Sequence, residues 1–294
     1  MKLTNALSIL PNLWFAIRTT FQPTLRSILA NPALLVQPKK LSDEFMAHLW
    51  KVYGDGLDEG LKGMKEVLIG DAWGVVLDLG AGSGHTIPYL DRTKVTTYIA
   101  LEPNTGMHPE IRSRAHAAGF FESDGTFVLL SLGAEKLTLS HLSAYTTTTT
   151  TSYISTSSTS TSGTTTERQA GAGVDTIISI LTLCTLPHPH RTLRTLFSSI
   201  LNPGGLFLFF EHVRNQTPPG DAAWWQGFWT PVWKVVFGGC ELGRETDVWV
   251  EQWGGWAEGG SRRPEHEGNE DEGERLFVHR VGRYVKAKDE AGKL

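Results

Sequence analysis

The chain has 294 residues, of which 40% are hydrophobic and 20% charged, and its formal net charge at pH 7 is −4. These values are ordinary for a globular protein and lack the clustered basic surface of a nucleic-acid-binding protein, so we expect no nucleic-acid partner. Cys184 and Cys240 form neither a disulfide framework nor a metal-ligand cluster, which favours a cytoplasmic location and predicts no metal. Composition carries no information on the oligomeric state.

Residues 1–72 are predicted to form an N-terminal arm and helices in front of the main domain. The apolar stretch from Leu7 to Ile17 contains Pro11 and is too short for a membrane-spanning helix, which needs roughly 20 apolar residues. Two interpretations remain open. In one, Trp14 and Phe21 insert into a membrane surface beside basic residues. In the other, the segment is an ordinary amphipathic helix that covers the domain.

A helix is predicted over residues 43–53, because Ser42 is a suitable N-cap and the apolar residues that follow share one face. Such a face is usually core, although Trp50 and Tyr53 are also placed to contact a ligand. Three glycines within residues 54–60 predict a loosened chain before a second short helix.

A short apolar strand from Val75 to Leu79 runs into a glycine-rich loop, at the start of a main domain predicted to span residues 73–286. A helix is predicted to open after this loop, over residues 86–90. Glycines allow the backbone to turn sharply and to approach a ligand with its amide groups. A dinucleotide fingerprint, G-x-G-x-x-G, requires glycine where the chain has His85, so a dinucleotide-binding reductase is the disfavoured alternative. The predicted cofactor contacts of this stretch are Asp78, Gly80, Ala81, Gly82, Ser83 and Gly84.

Candidate ligand contacts also follow the next two predicted strands, over residues 95–101 and 126–132. The first of these strands ends at an acidic residue about 20 positions beyond the glycine loop, where such folds hydrogen-bond ribose hydroxyls. A helix separates the two strands. The candidates at the two strand ends are Glu102, Pro103, Ala134 and Glu135.

The fourth strand follows a change in composition. Residues 144–173 are rich in threonine and serine and predict a disordered insertion, because they have no apolar face to bury. The core resumes with an apolar run from Val174 to Leu181, which is typical of a parallel strand covered on both faces. Leu181 and Thr182 at its end are further candidates for cofactor binding.

The fifth strand, over residues 206–210, ends at Glu211 and His212. Ligands of open α/β sheets bind outside the carboxyl ends of the strands, so the residues at these ends are expected to surround one crevice. His212 is the best candidate for a general base, because an imidazole titrates near neutral pH. A structural histidine is the competing interpretation.

Tryptophan is concentrated between residues 224 and 256, and the first aromatic residues share one face of a helix expected to break near Pro231. That face is predicted to wall an apolar acceptor pocket, with a lid on the sheet edge or a membrane-interface belt as alternatives. Residues 258–275 are predicted to form a mobile acidic, glycine-rich loop, 276–285 a closing strand and 287–294 a flexible tail. The candidate substrate contacts are Trp224, Trp225, Phe228 and Trp229.

Between Val75 and Val213 the chain resembles the class I methyltransferases that use S-adenosylmethionine. The resemblance rests on LDLGAGSG from residue 77, LEPN from residue 101 and LNPGG from residue 201. A narrower likeness runs from FEHV at residue 210 to FGGCELGRE at residue 237. It is to animal methyltransferase-like proteins associated with endoplasmic reticulum and lipid droplets, which methylate hydrophobic thiols.

The resemblance implies an α/β, Rossmann-like, doubly wound sheet of seven mostly parallel strands, with an N-terminal helical extension and an aromatic-rich lid. It implies S-adenosylmethionine as cofactor, with Ala134 and Glu135 at the adenine, and a small apolar acceptor whose nucleophile is a thiol or hydroxyl. It also implies a peripheral association with endoplasmic reticulum or lipid droplets. The alternative to an enzyme is a lipid-surface interaction protein with a vestigial cofactor fold.

Overall fold

The computed structural model describes residues 1–146, 173–218, 220–265 and 271–288. Within these ranges, seven strands form one sheet in the order β3-β2-β1-β4-β5-β7-β6, in which only β7 is antiparallel to its neighbours. The predicted Rossmann-like architecture is confirmed. The strands are β1 Gly74–Leu79, β2 Val95–Leu101, β3 Phe127–Leu130, β4 Val174–Ile180, β5 Leu201–Val213, β6 Trp256–Arg262 and β7 Val278–Lys286.

Helices cover both faces of the sheet, which is why its central strands are apolar throughout. α3 and α4 pack on one face, whereas α5, α6 and α8 pack on the other. A third apolar cluster joins α2 and α7 to the first half of α3. The helices of the described ranges are α1 Leu3–Ala6, α2 Leu10–Ala30, α3 Pro38–Ile69, α4 His108–Ala117, α5 Leu139–Thr146, α6 Pro189–Thr195, α7 Asp221–Val236 and α8 Thr246–Gln252.

Helix α3 runs unbroken through the glycines that were expected to interrupt it, so the predicted start at Ser42 and the predicted break are wrong. Each glycine costs a helix only about 1 kcal/mol, which burial of a long apolar face readily offsets. Gly54 is also required by packing, because a Cβ atom there would lie 2.6 Å from Cε1 of His85. The continuous helix carries the second half of α3 across the carboxyl edge of the sheet.

Three further expectations about local structure differ from the observed elements. α7 continues past Pro231 to Val236. The proline leaves the carbonyl of Gly227 without its helical hydrogen-bond partner, but both residues are exposed, so water can bond to that carbonyl instead. The helix expected after the glycine loop is only a 3-10 turn over Ile87–Tyr89. The predicted mobile loop 258–275 begins with β6, where Gly259 passes so close to the backbone of β7 that a side chain would collide with it.

Some predicted segments lie mainly outside the described residues. They are 147–172 of the threonine- and serine-rich insertion, 266–270 of the acidic loop and 289–294 of the tail. The closing strand predicted over residues 276–285 is observed as β7, which pairs along its length with β5.

Candidate active site

The carboxyl ends of β1 and β4 meet the inner face of α3 at a cleft of about 400 Å³, solvent at its mouth included. Its walls contain apolar side chains together with three ionisable groups from α3 and β1. The cleft therefore lies where the sequence places the crevice. Its lining residues are Trp50, Gly54, Leu57, Asp58, Leu61, Lys65, Asp78, Gly80, Ala81, His85, Thr86, Ile180 and Leu181.

The glycine loop adopts a conformation that only glycine enters easily. Gly80, Gly82 and Gly84 have φ values of +60°, +57° and +82°, in the left-handed region that strains other residues. A Cβ atom on Gly82 would lie 2.6 Å from Nε1 of Trp50, so α3 packs directly on the loop. Trp50 lines the cleft, and its contact with a ligand stays a prediction.

Asp78, at the end of β1, is a buried carboxyl group in the floor of the cleft. Its exposed fraction is 1%, and Oδ2 accepts a hydrogen bond of 2.8 Å from the Tyr98 hydroxyl. Burial raises the pKa of Asp78 to about 6, against the opposing effect of that bond. The negative form of this carboxyl group is therefore costly unless a cation is near.

Glu102, at the end of β2, connects that strand to the glycine loop. Its Oε2 accepts from the amide of Gly82 at 2.9 Å, and its Oε1 accepts from the amide of Asn104 at 2.7 Å. The side chain is buried, and burial raises its pKa to about 7 despite these two bonds. Pro103, the next residue, is exposed.

The loop after β4 has a strained backbone and is held in place by hydrogen bonds to a buried carboxyl group. Leu181 has a φ of +54°, which is rare for a branched residue and is a feature of ligand sites. Oε1 of the buried Glu211 accepts from the amides of Thr182 and Leu183 at 2.9 and 3.1 Å. Thr182 also donates its hydroxyl to the carbonyl of Leu79 at 2.9 Å, which fixes this loop against β1.

The remaining predicted adenine contacts lie in a 3-10 turn, Ala134–Lys136, beyond β3. Ala134 is buried in the core below the sheet edge, whereas Glu135 is exposed. Neither residue lines the cleft, and neither do Ser83 and Gly84. Gly82, Glu102, Pro103 and Thr182 are also outside the lining, and the cofactor role of all the predicted residues stays a prediction.

Sequence reasoning missed a buried ion pair in the wall that α3 contributes. Lys65 is 3% exposed, and its Nζ donates to Oδ1 of Asp58 at 2.6 Å, while the Tyr89 hydroxyl donates to Oδ2 at 3.0 Å. The signal was available, because Lys65 shares a helical face with the buried Leu61 and Leu68. A lysine in that register faces the interior.

His85 is a second group that sequence reasoning did not assign. It occupies the position where a dinucleotide fingerprint requires glycine, and its Nε2 lies 2.8 Å from Oδ1 of Asp55, which also accepts from Arg114 at 2.8 Å. Burial lowers the pKa of His85 against the effect of Asp55. The ring is thus a wall of the cleft that is fixed to α3.

His212 lies on β5 but not in the cleft lining. Its ring is 4% exposed and packs 5.7 Å from the rings of both Phe277 and His279. Burial, with a smaller contribution from His279, lowers the pKa of His212 to about 3. An imidazole of this kind is neutral at physiological pH and is a weak base, so the structure gives the predicted general-base role no support.

The four predicted acceptor contacts lie on α7 and pack toward the N-terminal helices. Trp224 and Phe228 are 62% and 54% exposed, with their rings stacked 5.6 Å apart. Trp225 and Trp229 are half-buried in the third apolar cluster, and Nε1 of Trp229 donates to the carbonyl of Ala6 at 2.8 Å. None of the four lines the cleft, so their contact with an acceptor stays a prediction.

A family model described as a methyltransferase domain matches residues 49–267. Thiol S-methyltransferase TMT1B of Rattus norvegicus is 36% identical over 77 residues, which are 26% of this chain and 31% of that protein. Thiol S-methyltransferase TMT1A of Homo sapiens is 36% identical over 81 residues, with the same two shares. The chain therefore matches less than a third of the length of these relatives.

Among solved structures, an O-methyltransferase family protein from Burkholderia thailandensis aligns with a TM-score of 0.51 at 13% identity. The alignment covers 86% of this chain and 60% of that one. At this identity the similarity concerns the fold alone, and it agrees with the seven-stranded sheet.

Proposed function

Because the chain belongs to the methyltransferase-domain family, we propose that it methylates a small apolar thiol, at the lipid surface from which such a molecule would arrive. The reaction class, methyl transfer from S-adenosylmethionine, follows from the family and the fold. The acceptor and the location are the parts that we propose. Membership of this family also removes the reason for considering a dinucleotide-binding reductase.

The residues of the cleft fit S-adenosylmethionine. Its sulfonium supplies a methyl group that is already activated, so the protein chiefly has to orient the reactants and exclude water. Glu102 would accept hydrogen bonds from the ribose hydroxyls, and the Lys65 ammonium would face the amino-acid carboxylate. The apolar side chains of Trp50, Leu57 and Leu181 exclude water from the same walls.

The burial and low pKa of His212 favour a thiol over a hydroxyl as the acceptor group. A hydroxyl acceptor stays protonated near neutral pH and needs a general base, whereas a thiol is partly ionised there. The histidine predicted to act as base is buried and neutral, with a pKa of about 3. An acceptor that reaches the cleft as a thiolate needs no such base, and the thiol S-methyltransferase names of the relatives support the same choice.

A matched pair of acceptors tests the proposal. An alkanethiol and the alcohol of the same chain length are each incubated with the protein and S-adenosylmethionine, and methylated product is measured by mass spectrometry. We expect turnover of the thiol only, at a rate that rises with pH up to the pKa of the free thiol. Equal turnover of the alcohol, or a pH profile that stays fixed when a more acidic thiol is used, would overturn the choice of acceptor.

An exposed apolar stripe on the N-terminal helices supports the lipid location. Residues spaced three and four apart along α1, the turn that follows it and α2 present their side chains to solvent, among them Trp14 at 60% and Phe21 at 65% exposure. The guanidinium of Arg18 lies 4.9 Å from the centre of the Trp14 ring. The other members of the stripe are Leu3, Leu7, Leu10, Ile17 and Leu25.

The charge of the N-terminal segment supports lipid as the occupant of this stripe. The first 42 residues contain five basic residues and no acidic residue, although the whole chain is acidic. A basic helix with an exposed aromatic and aliphatic face binds the interface of an anionic membrane. Within the described ranges, no helix is long and apolar enough to cross a membrane. We infer a protein that lies on the surface through α1 and α2.

Vesicle flotation tests the location. The full chain is mixed with vesicles of phosphatidylcholine and phosphatidylserine, and the double variant Trp14→Ser, Phe21→Ser is compared with Val67→Ser, which alters an exposed valine on α3. We expect the full chain and the Val67 variant to float and the double variant to remain at the bottom. Flotation of all three proteins, or elution of the full chain as a dimer that excludes vesicles, would contradict the proposal.

A further inference from the structure

The only two cysteines of the chain lie against each other beside the loop that follows β4. Cys184 and Cys240 are both free thiols. The amide of Glu241 donates to the carbonyl of Cys184 at 3.1 Å, and standard covalent geometry then keeps the two cysteine Cα atoms within about 8 Å of each other. The neighbouring Cys240 thiol, together with burial, raises the pKa of the Cys184 thiol. Residues 56 positions apart in the sequence are thus paired by the fold.

A second set of bonds keeps the two segments together. The guanidinium of Arg244 donates to the carbonyls of Leu183 and Leu186 at 3.1 and 2.7 Å. Arg244 also donates to Oε2 of Glu241 at 3.2 Å. The segment after α7 is therefore clamped to the loop after β4 on one side of the cysteine pair. A disulfide requires Cα atoms roughly 4.4–6.8 Å apart, and the upper bound of about 8 Å set by the bond between Glu241 and Cys184 includes that range.

The two thiols differ in access. Cys184 is 2% exposed, and its Sγ lies 3.8 Å from the carbonyl of the strained Leu181. Cys240 is partly exposed and belongs to the third apolar cluster, beside Phe237 and Tyr53. A reagent from solvent therefore meets Cys240 first, and the aromatic surroundings favour a small apolar reagent over a charged one.

We propose that Cys184 and Cys240 form a dithiol that reacts with small apolar disulfides and closes to an intrachain disulfide. The Cys240 thiolate attacks one sulfur of the small disulfide, so that a mixed disulfide forms and one small thiolate leaves. The Cys184 thiol then gives its proton to the first released thiolate as its sulfur attacks the Cys240 sulfur, and the second small thiolate leaves. Both cysteine sulfurs are oxidised, the small disulfide is reduced by two electrons, and the two cysteine protons pass to the released thiolates.

This reaction is independent of methyl transfer, although its products belong to the acceptor class proposed above. It would release two small thiols beside the cleft for each dithiol consumed. It would also join the loop that carries Leu181 covalently to the segment that follows α7. The cleft and the aromatic helix would then be fixed to each other through one bond.

The test uses the full chain and diethyl disulfide, without any methyl donor. After incubation, remaining thiols are alkylated, and the protein is examined by intact mass spectrometry and by peptide mapping without reduction. We expect both free thiols to be lost, no ethyl adduct to remain, and one peptide pair to be joined through Cys184 and Cys240. The monomer should stay a monomer on non-reducing electrophoresis.

Two variants make the test specific. Cys184→Ser should stop at an ethyl mixed disulfide on Cys240, whereas Cys240→Ser should react at least about tenfold more slowly, because a buried thiol is protected. Circular dichroism checks that both variants fold. Stable ethyl adducts on the unaltered chain, dimers linked between chains, or faster reaction at Cys184 would each overturn the proposal. Because no methyl transfer is measured, such a failure is separate from a failure of the proposed function.

Discussion

We predict that the substitution Glu211→Gln removes a large part of the pH dependence of folding stability. Glu211 is fully buried below the loop after β4, and its Oε1 accepts from the Ser179 hydroxyl at 2.7 Å and from the amides of Thr182 and Leu183. Burial raises the pKa of this carboxyl group from 4.5 to about 7, more than the hydrogen bonds lower it.

The raised pKa of Glu211 makes the folded protein less stable as pH rises. The folded protein holds this proton more tightly than the unfolded chain, so the contribution of Glu211 to stability is greatest below pH 4.5 and is lost as pH rises to about 7. A shift from 4.5 to about 7 corresponds to a loss of about 3 kcal/mol. Glutamine is uncharged in both the folded and the unfolded protein, so its contribution to the free energy of unfolding is the same at every pH.

Urea unfolding at a series of pH values, from about pH 5 to about pH 8, measures the effect. Asp78 and Glu102 also have raised pKa values, but they titrate in both proteins and cancel in the difference. Glu241→Gln is the control, because hydrogen bonds from Arg244 and Lys234 lower the pKa of Glu241 and move its effect below this range. A difference between the wild type and Glu211→Gln that stays constant across the series would refute the reasoning.

Three substitutions test the cleft itself. Gly82→Ala should weaken S-adenosylmethionine binding, measured by calorimetry, by about tenfold or more. The left-handed φ of Gly82 and its close contact with Trp50 both oppose the added methyl group. Gly63→Ala, in open space on α3, should leave binding unchanged. Lys65→Met should weaken the same binding about tenfold through the loss of one charge-assisted bond, whereas the exposed Lys51→Met should not. His212→Asn should leave the shape of the pH–rate profile for a thiol unchanged, and loss of its acidic limb would restore His212 as the base.

The sheet, and the candidate ligand residues at the carboxyl ends of its strands, were predictable because short local sequence patterns specify them. An apolar run such as Val174 to Ile180 has to be covered on both faces, whatever the rest of the chain does. The glycine loop after β1 and the acidic Glu102 after β2 follow these runs directly. Parallel strands bring their carboxyl ends to one edge, so position along the chain was enough to place these groups together.

The parts that were not predictable depend on contacts between distant segments. Gly54 marks not a break in α3 but a close contact with His85, which packs on it from the glycine loop. β6 forms from a glycine-rich segment because β7 offers it an edge with which to pair. The tryptophans of α7 were assigned to an acceptor pocket because they follow β5, and that position gives no sign of the bond between Trp229 and Ala6 of α1. No local pattern carries that information.

Asp78, the buried carboxyl group in the lining of the cleft, links the site to the charge of its ligand. Burial raises the pKa of Asp78 to about 6, so its charged form carries a desolvation cost. A cationic ligand offsets that cost, and the demethylated product lacks the positive sulfonium that S-adenosylmethionine carries. We therefore expect Asp78 to favour binding of the cofactor over binding of the product.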